Sequence, residues 1–179
     1  RYARQAGRKI MELVERDIKV SDILTPAAFK NAIIIHSAIG GSTNATLHIP
    51  SIARELGYDL PIEMFDEINH QVPHIGNIFP SGKYLAECFW FAGGIPYVQF
   101  LLKDMLDLDV MTVTGKTLGE NLEELEKNHF FQIGEGYLHN YGLEVDQVIT
   151  PVETTKEMGS IAVLKGNLAP EGAVVKYSA

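Results

Sequence analysis

Through residues 1–128, glycine and proline fall at short intervals and cut an apolar pattern of helical period into brief pieces. A chain punctuated in this way folds as short helices joined by tight corners. Ile10, Leu13, Val14 and Ile18 stand at helical spacing among charges and predict an amphipathic helix within residues 1–19. Thr25-Pro26 is a cap and first-turn pair, opening an apolar helix through Phe29, Ile33 and Ile34 that stops at Gly40-Gly41. Ser42, Thr43 and Asn44 offer caps for the next helix, with Leu47, Ile52, Ala53 and Leu56 as its apolar stripe, Pro50 as a kink and Gly57 as its end. Leu60-Pro61 begins a short helix bearing Met64, Phe65 and Ile68; residues 72–80 read as a loop, and Ser81-Gly82 restarts the helical pattern. Residues 84–92 are nearly continuously apolar and are expected to be buried, and Pro96 is placed to open a helix running to about Leu106. Residues 109–113 read as a short buried strand, followed by a Thr114-Gly115 turn and an acidic helix over 118–125 introduced by Thr117.

After Asn128 the character changes. Residues 134–159 scatter aromatics, Gly, Thr and Pro without a sustained period, which predicts a connection running over the surface. Two β-rich runs follow, 160–164 and 173–177, separated by the turn-forming 166–172. Two strands alone are marginally stable, so they are expected to belong to a larger sheet. The chain opens at Arg1 with an amphipathic segment already under way and without an initiator Met or a signal peptide, and reads as a piece of a longer polypeptide. The fold class is α/β, rich in helix.

Composition removes several classes of function. With 46% hydrophobic and 21% charged residues in 179, the chain matches a folded globular protein rather than a disordered or coiled-coil one. Its net charge, 15 − 23 = −8, repels phosphate backbones and anionic lipid, so neither nucleic acid nor membrane is expected as a partner. The densest apolar stretches are too short to span a bilayer. A single cysteine, Cys88, excludes an internal disulfide and a Cys-only metal cage from this chain alone, and suits a reducing, cytoplasmic setting.

Candidate chemistry concentrates between His36 and His48. Gly40-Gly41 lets backbone approach a ligand closely, and amides at a helix start beside Ser42, Thr43 and Asn44 suit a carboxylate or phosphate. The same residues serve equally as caps of a helix-to-helix corner. His48, one turn on, reads as a donor or proton carrier, or as a structural histidine. Ser81-Gly82-Lys83 offers a hydroxyl, amides and a cation at a second expected helix start, for an anion or simply as a solvated terminus. His70 and His74 have metal-ligand spacing only on a continuous helix, which Pro73 disfavours. Cys88 lacks a basic neighbour in sequence and reads as a buried small hydrophobe, while residues 120–126 read as a solvated acidic face.

Gly41-Ser42-Thr43-Asn44-Ala45-Thr46-Leu47-His48 resembles the Gly-Gly-Ser-Thr-Asn block of the dihydroxy-acid and sugar-acid dehydratase family. Pro80-Ser81-Gly82-Lys83-Tyr84, Ala92-Gly93-Gly94-Ile95-Pro96, Thr112-Val113-Thr114-Gly115-Lys116-Thr117-Leu118 and Gly166-Asn167-Leu168-Ala169-Pro170-Glu171-Gly172 extend the resemblance, in the family's order, over essentially the whole chain. Arg4-Gln5-Ala6-Gly7, Asn69-His70-Gln71-Val72-Pro73 and the 111–122 stretch look closest to the xylonate dehydratase branch. The resemblance implies the later part of an N-terminal α/β domain over 1–128, an inter-domain connection over 129–159, and the first strands of a C-terminal β-barrel-like domain from 160. It implies dehydration of a sugar acid such as D-xylonate to a 2-keto-3-deoxy acid, with a dihydroxy-acid dehydratase of branched-chain amino-acid synthesis as the alternative. A free-standing, non-catalytic anion-binding or scaffold module is the reading from another class. The family's iron-sulfur cluster and magnesium ion are expected in the parent enzyme, with the cluster cysteines, the magnesium ligands and the catalytic serine outside this segment. The segment alone is then inactive and holds no metal ligand and no catalytic residue. Ser42, Thr43, Asn44, His48, Ser81 and Lys83 are the candidates for proximity to substrate, and a homodimer or homotetramer is expected.

Overall fold

The computed structural model describes residues 2–155 and 158–177. The helices run α1 (Tyr2–Glu15), α2 (Val20–Ile23), α3 (Pro26–Ala38), α4 (Ala45–Glu55), α5 (Glu63–Asn69), α6 (Ala86–Phe91) and α7 (Gly94–Leu101). After a 3-10 turn at Lys103–Met105 come α8 (Leu118–Lys127), α9 (Phe130–Leu138), a second 3-10 turn at His139–Tyr141 and α10 (Val145–Val148). Strands β1 (Ile161–Gly166) and β2 (Ala169–Lys176) close the chain as an antiparallel hairpin, Ile161 opposite Lys176 and Leu164 opposite Ala173. The helix-rich α/β expectation holds.

Helix α3 is the axis of the core. Thr25 caps it, Oγ1 accepting from the Ala28 amide at 3.2 Å with Pro26 at the first helical position, as the sequence predicts. It is apolar on most of its circumference, and Phe29, Ile33, Ile34, Ile35 and Ala38 are all buried, which is how such a helix must sit. Around it pack Phe65 and Ile68 of α5, Cys88 and Phe89 of α6, Val98 of α7, and Leu118 and Leu122 of α8. Helix α8 begins with a reciprocal cap in which Thr117 Oγ1 accepts from the Glu120 amide and the Glu120 carboxylate accepts from the Thr117 amide.

Several elements depart from expectation for identifiable reasons. Residues 109–113 form no strand: Val110 O and Leu108 O accept the amides of Leu118 and Gly119, and Thr112 pairs with Lys116, so the segment folds back on its own return loop. The inner face of α4 is Thr46, Ile49, Ala53 and Leu56, whereas Leu47 and Ile52 stand exposed. In 84–92 only Cys88, Phe89 and Ala92 are buried; Leu85 and Trp90 face outward. Helix α7 ends at Leu101, short of the expected Leu106. Residues 134–159 do not merely run over the surface, since the end of α9 and all of α10 lie within them and Leu138, Val148 and Ile149 enter the main core. Gly134, which reads as a breaker, is there for contact: a Cβ would stand 2.7 Å from Phe91 O on α6.

The hairpin is seated on α3 and α5. Buried Asn69 Oδ1 accepts from Ser37 Oγ at 2.7 Å and from the amides of Ser160 and Ile161 at 2.7 and 3.0 Å. Its Nδ2 donates to Tyr177 Oη at 2.7 Å, and that hydroxyl donates to Met158 O. Asp66 Oδ1 accepts from the Val163 amide at 2.8 Å, and Lys165 pairs with Glu63.

Candidate functional site

The corner between α3 and α4 is tied by backbone and side-chain hydrogen bonds. Ala38 O accepts the amides of Ile75 and Gly76 at 2.8 and 3.1 Å, and Gly40 O accepts Lys176 Nζ of β2 at 2.7 Å. Ser42 Oγ accepts from the Asn44 amide at 3.3 Å, and Thr46 Oγ1 donates to Thr43 O at 2.7 Å. None of Ser42, Thr43 and Asn44 caps α4 in the expected manner: Asn44 is the residue at the cap position, its backbone is already helical, and its side chain makes no capping bond. The amides of Ala45, Thr46 and Leu47 are spent on the carbonyls of Ser42, Thr43 and Asn44, so the corner is a run of turns and not an open amide cradle. What it presents to solvent is side chain: Ser42, Asn44 and His48 are exposed and Thr43 is half-buried.

Ser81 and Lys83 lie elsewhere, in the turn ahead of α6. The helix begins only at Ala86, and the amides of Gly82 and Lys83 are bound by Ile78 O and Asn77 Oδ1 at 2.7 and 2.9 Å. Residues 81–83 therefore do not stand at a helix start and two of their amides are engaged, while Ser81 Oγ is buried without a hydrogen-bond partner among the described residues. Lys83 is exposed, its ammonium 5.3 Å from the centre of the Tyr84 ring. Among the described residues no hydrogen bond joins Ser81 or Lys83 to the 42–48 group.

A residue absent from the sequence-derived candidates stands behind the corner. His36, on the last turn of α3, has Nε2 2.8 Å from Ser42 O, and its ring meets Phe65 edge-on at 6.3 Å between centroids. Burial holds its pKa below the usual 6.5, the bond to Ser42 O works against that, and the Lys176 ammonium adds to the lowering. His36 also lines a cavity of about 500 Å³ between α3, α7 and residues 110–113, whose other walls are mostly apolar, among them Ile35, Ile39, Ile95 and Val110. The six sequence candidates do not line it. In sequence, His36 carries only the signal of a histidine preceding Gly40-Gly41.

Metal-binding capacity is sparse. Cys88 is buried in the core on α6, so these residues do not fit an iron-sulfur cluster. Glu135, His139 and Glu144 bring ligand atoms within 4.8 Å of one another, but Glu144 and His139 are exposed and already paired to each other at 3.1 Å. His70 pairs with Asp66 at 3.4 Å, and the chain leaves the helix after Asn69, as Pro73 predicts.

The family model described as dihydroxy-acid/6-phosphogluconate dehydratase N-terminal matches residues 1–121. The chain belongs to that dehydratase family. The dihydroxy-acid dehydratase of Acetivibrio thermocellus is 45% identical over 181 residues, that of Caldicellulosiruptor saccharolyticus 43% over 182, and that of Methanosarcina barkeri 41% over 179. Each alignment covers 100% of this chain and 30% of the relative. The chain thus spans about 30% of the length of the curated relatives it matches.

Proposed function

We propose that this chain is a segment of a hydro-lyase that dehydrates a branched 2,3-dihydroxy carboxylic acid to a 2-keto acid. The observation that carries this reading is the match, over 100% of the chain, to relatives named dihydroxy-acid dehydratase. Those names favour the branched acid over the sugar acid that the xylonate-like stretches suggest. In the reaction a base takes the C2 proton, the C3 hydroxyl leaves as water, and the enol so formed tautomerises to the 2-keto acid. An iron-sulfur cluster and a magnesium ion held elsewhere in the parent would supply Lewis-acid chemistry for this reaction. Their ligands, and the base, would come from parts of the parent outside these residues.

Within that enzyme the segment contributes the α3–α4 corner, where Ser42, Thr43, Asn44 and His48 lie near the carboxylate end of the substrate. The hairpin is the start of a second, β domain. The parent is a cytoplasmic homodimer or homotetramer; no helix among the described residues is long and apolar enough to cross a membrane. The test is 2-keto acid formation by the parent polypeptide, purified anaerobically with magnesium, from a branched 2,3-dihydroxy acid beside D-xylonate. Turnover of the branched acid is expected; turnover of xylonate alone overturns the substrate reading. Ser42→Ala with Thr43→Ala is expected to weaken turnover, and unchanged turnover and stability overturn the placement of the corner.

A further inference from the structure

Three carbonyls of the 38–42 corner are gripped from three directions: Ala38 by backbone amides at 75 and 76, Gly40 by Lys176, and Ser42 by His36, beside the local Ala45 amide. The last grip comes from the helix that leads into the corner. A carbonyl can only accept, so the imidazole carries its proton on Nε2 and donates it to Ser42 O. The ring also fills the space above Gly41, where a Cβ would stand 2.1 Å from the His36 Cδ2, so ring and backbone fit at contact distance only because residue 41 is glycine.

We propose that His36 is a positioning residue: its neutral imidazole holds the Ser42 carbonyl and so fixes where the Ser42 and Thr43 side chains stand toward the carboxylate of a dihydroxy acid. The proposal rests on the dehydratase reading above for its substrate, and on the geometry of the corner for everything else. Burial and the Lys176 ammonium both favour the neutral ring. A proton on the other nitrogen makes an imidazolium that faces the Lys176 ammonium of β2, which is itself bound to the neighbouring Gly40 carbonyl. Among the described residues that meet the ring or line the cavity with it, none brings a countercharge: α5 presents Phe65, and the polar lining residues Asn31, Gln99 and Thr112 are uncharged.

The test compares His36→Gln, which keeps a donor but cannot titrate, with His36→Phe, which keeps the bulk and loses the donor. Both are made in the parent enzyme with its cofactors and assayed with the branched acid from pH 5 to 8. The Phe variant is expected to raise KM about tenfold with kcat changed much less, the split produced by losing uniform substrate binding. The Gln variant is expected to match the wild type at pH 7.5. Wild-type KM rises as pH falls below 6.5, and the Gln variant's KM stays flat over the same range. A Phe variant with unchanged KM, or a Gln variant that follows the wild type into acid, overturns the proposal. Should the Phe variant fail to fold, the wild type and Gln comparison decides alone. If the wild type turns over no branched acid, the branched-acid reading falls, and amide exchange at 41–46 decides the role of His36. Faster exchange in the Phe variant but not the Gln variant supports it, and equal exchange in all three overturns it.

Discussion

Helix α9 and the β1–β2 hairpin are both fastened onto the earlier helices, α9 through aromatic rings and the hairpin through hydrogen bonds to a buried asparagine. Phe131 lies 5.3 Å from Tyr97 and 5.7 Å from Phe100 between ring centroids, Phe130 meets Trp90 at 5.9 Å, and Tyr137 meets Phe91 at 5.6 Å. These contacts are broad, shared among many atoms and tolerant of small displacement. The hairpin joint is the opposite: Asn69 Oδ1 alone serves three donors, and the Asn69 amide reaches a fourth group, Tyr177. Loss of one ring leaves the others packed, whereas loss of one oxygen leaves three buried donors unpaired. The joint that carries Lys176 to the 38–42 corner is therefore the directional one, as suits a connection that must place groups and not merely cover them.

The largest effect that can break this contrast is at Asn69, 1% exposed. Asn69→Ala is expected to raise the free energy of the seated hairpin by about 3 kcal/mol, because buried amides lose their acceptor. Exchange of the 160–177 amides in the parent enzyme then speeds up roughly 100-fold, and Asn69→Leu, similar in size, fares no better. Exchange unchanged in either variant would mean that the hairpin is held by something other than this network. At the aromatic joint a change of shape is expected to matter less than a loss of volume. Phe131→Ala costs about 2 kcal/mol at a half-buried ring, and Phe131→Leu less than about 1.5 kcal/mol. Exchange across α9 checks both, and equal losses for Leu and Ala would show the aromatic joint to be as specific as the polar one.

The two joints also differ in how far the sequence announces them. Caps are local, so Thr25-Pro26 and the Thr117-Glu120 pair are legible from residue type and spacing alone. Helix α9 is hidden because Gly134 and Gly136 look like breakers, and only the approach of Phe91 explains the first of them. Residues 109–113 are rich in strand-forming types, but a strand needs a partner, and the one they find among the described residues is the chain's own return at 116–119. The 42–48 polar group is visible in sequence because it is contiguous. His36 and Asn69 are not, because their importance lies in partners brought together from Ser42, Ser37, Ser160 and Tyr177 by the fold. A polar residue on an otherwise apolar helix is the trace that tertiary hydrogen bonding leaves, and Asn69 at the end of α5 resembles an ordinary helix terminus.

The smallest expected effect lies at the rim of the hairpin joint, where Lys165 pairs with Glu63. Both side chains are about half exposed, at 50% and 47%, so solvent screens the pair and holding two long side chains in place offsets its attraction. The hydrogen bond from Lys165 nevertheless keeps the Glu63 carboxyl below its ordinary 4.5, and whatever the contact contributes is present above that pH and lost as the pH falls through the lowered folded value. Lys165→Met is therefore expected to change amide exchange in β1 by less than about twofold at neutral pH, and the two proteins should converge as the pH is taken below 4.5. An effect approaching that of Asn69→Ala would move the hairpin's anchorage from the buried amide to its charged rim, and would then predict that salt, which barely touches the Asn69 network, releases the hairpin.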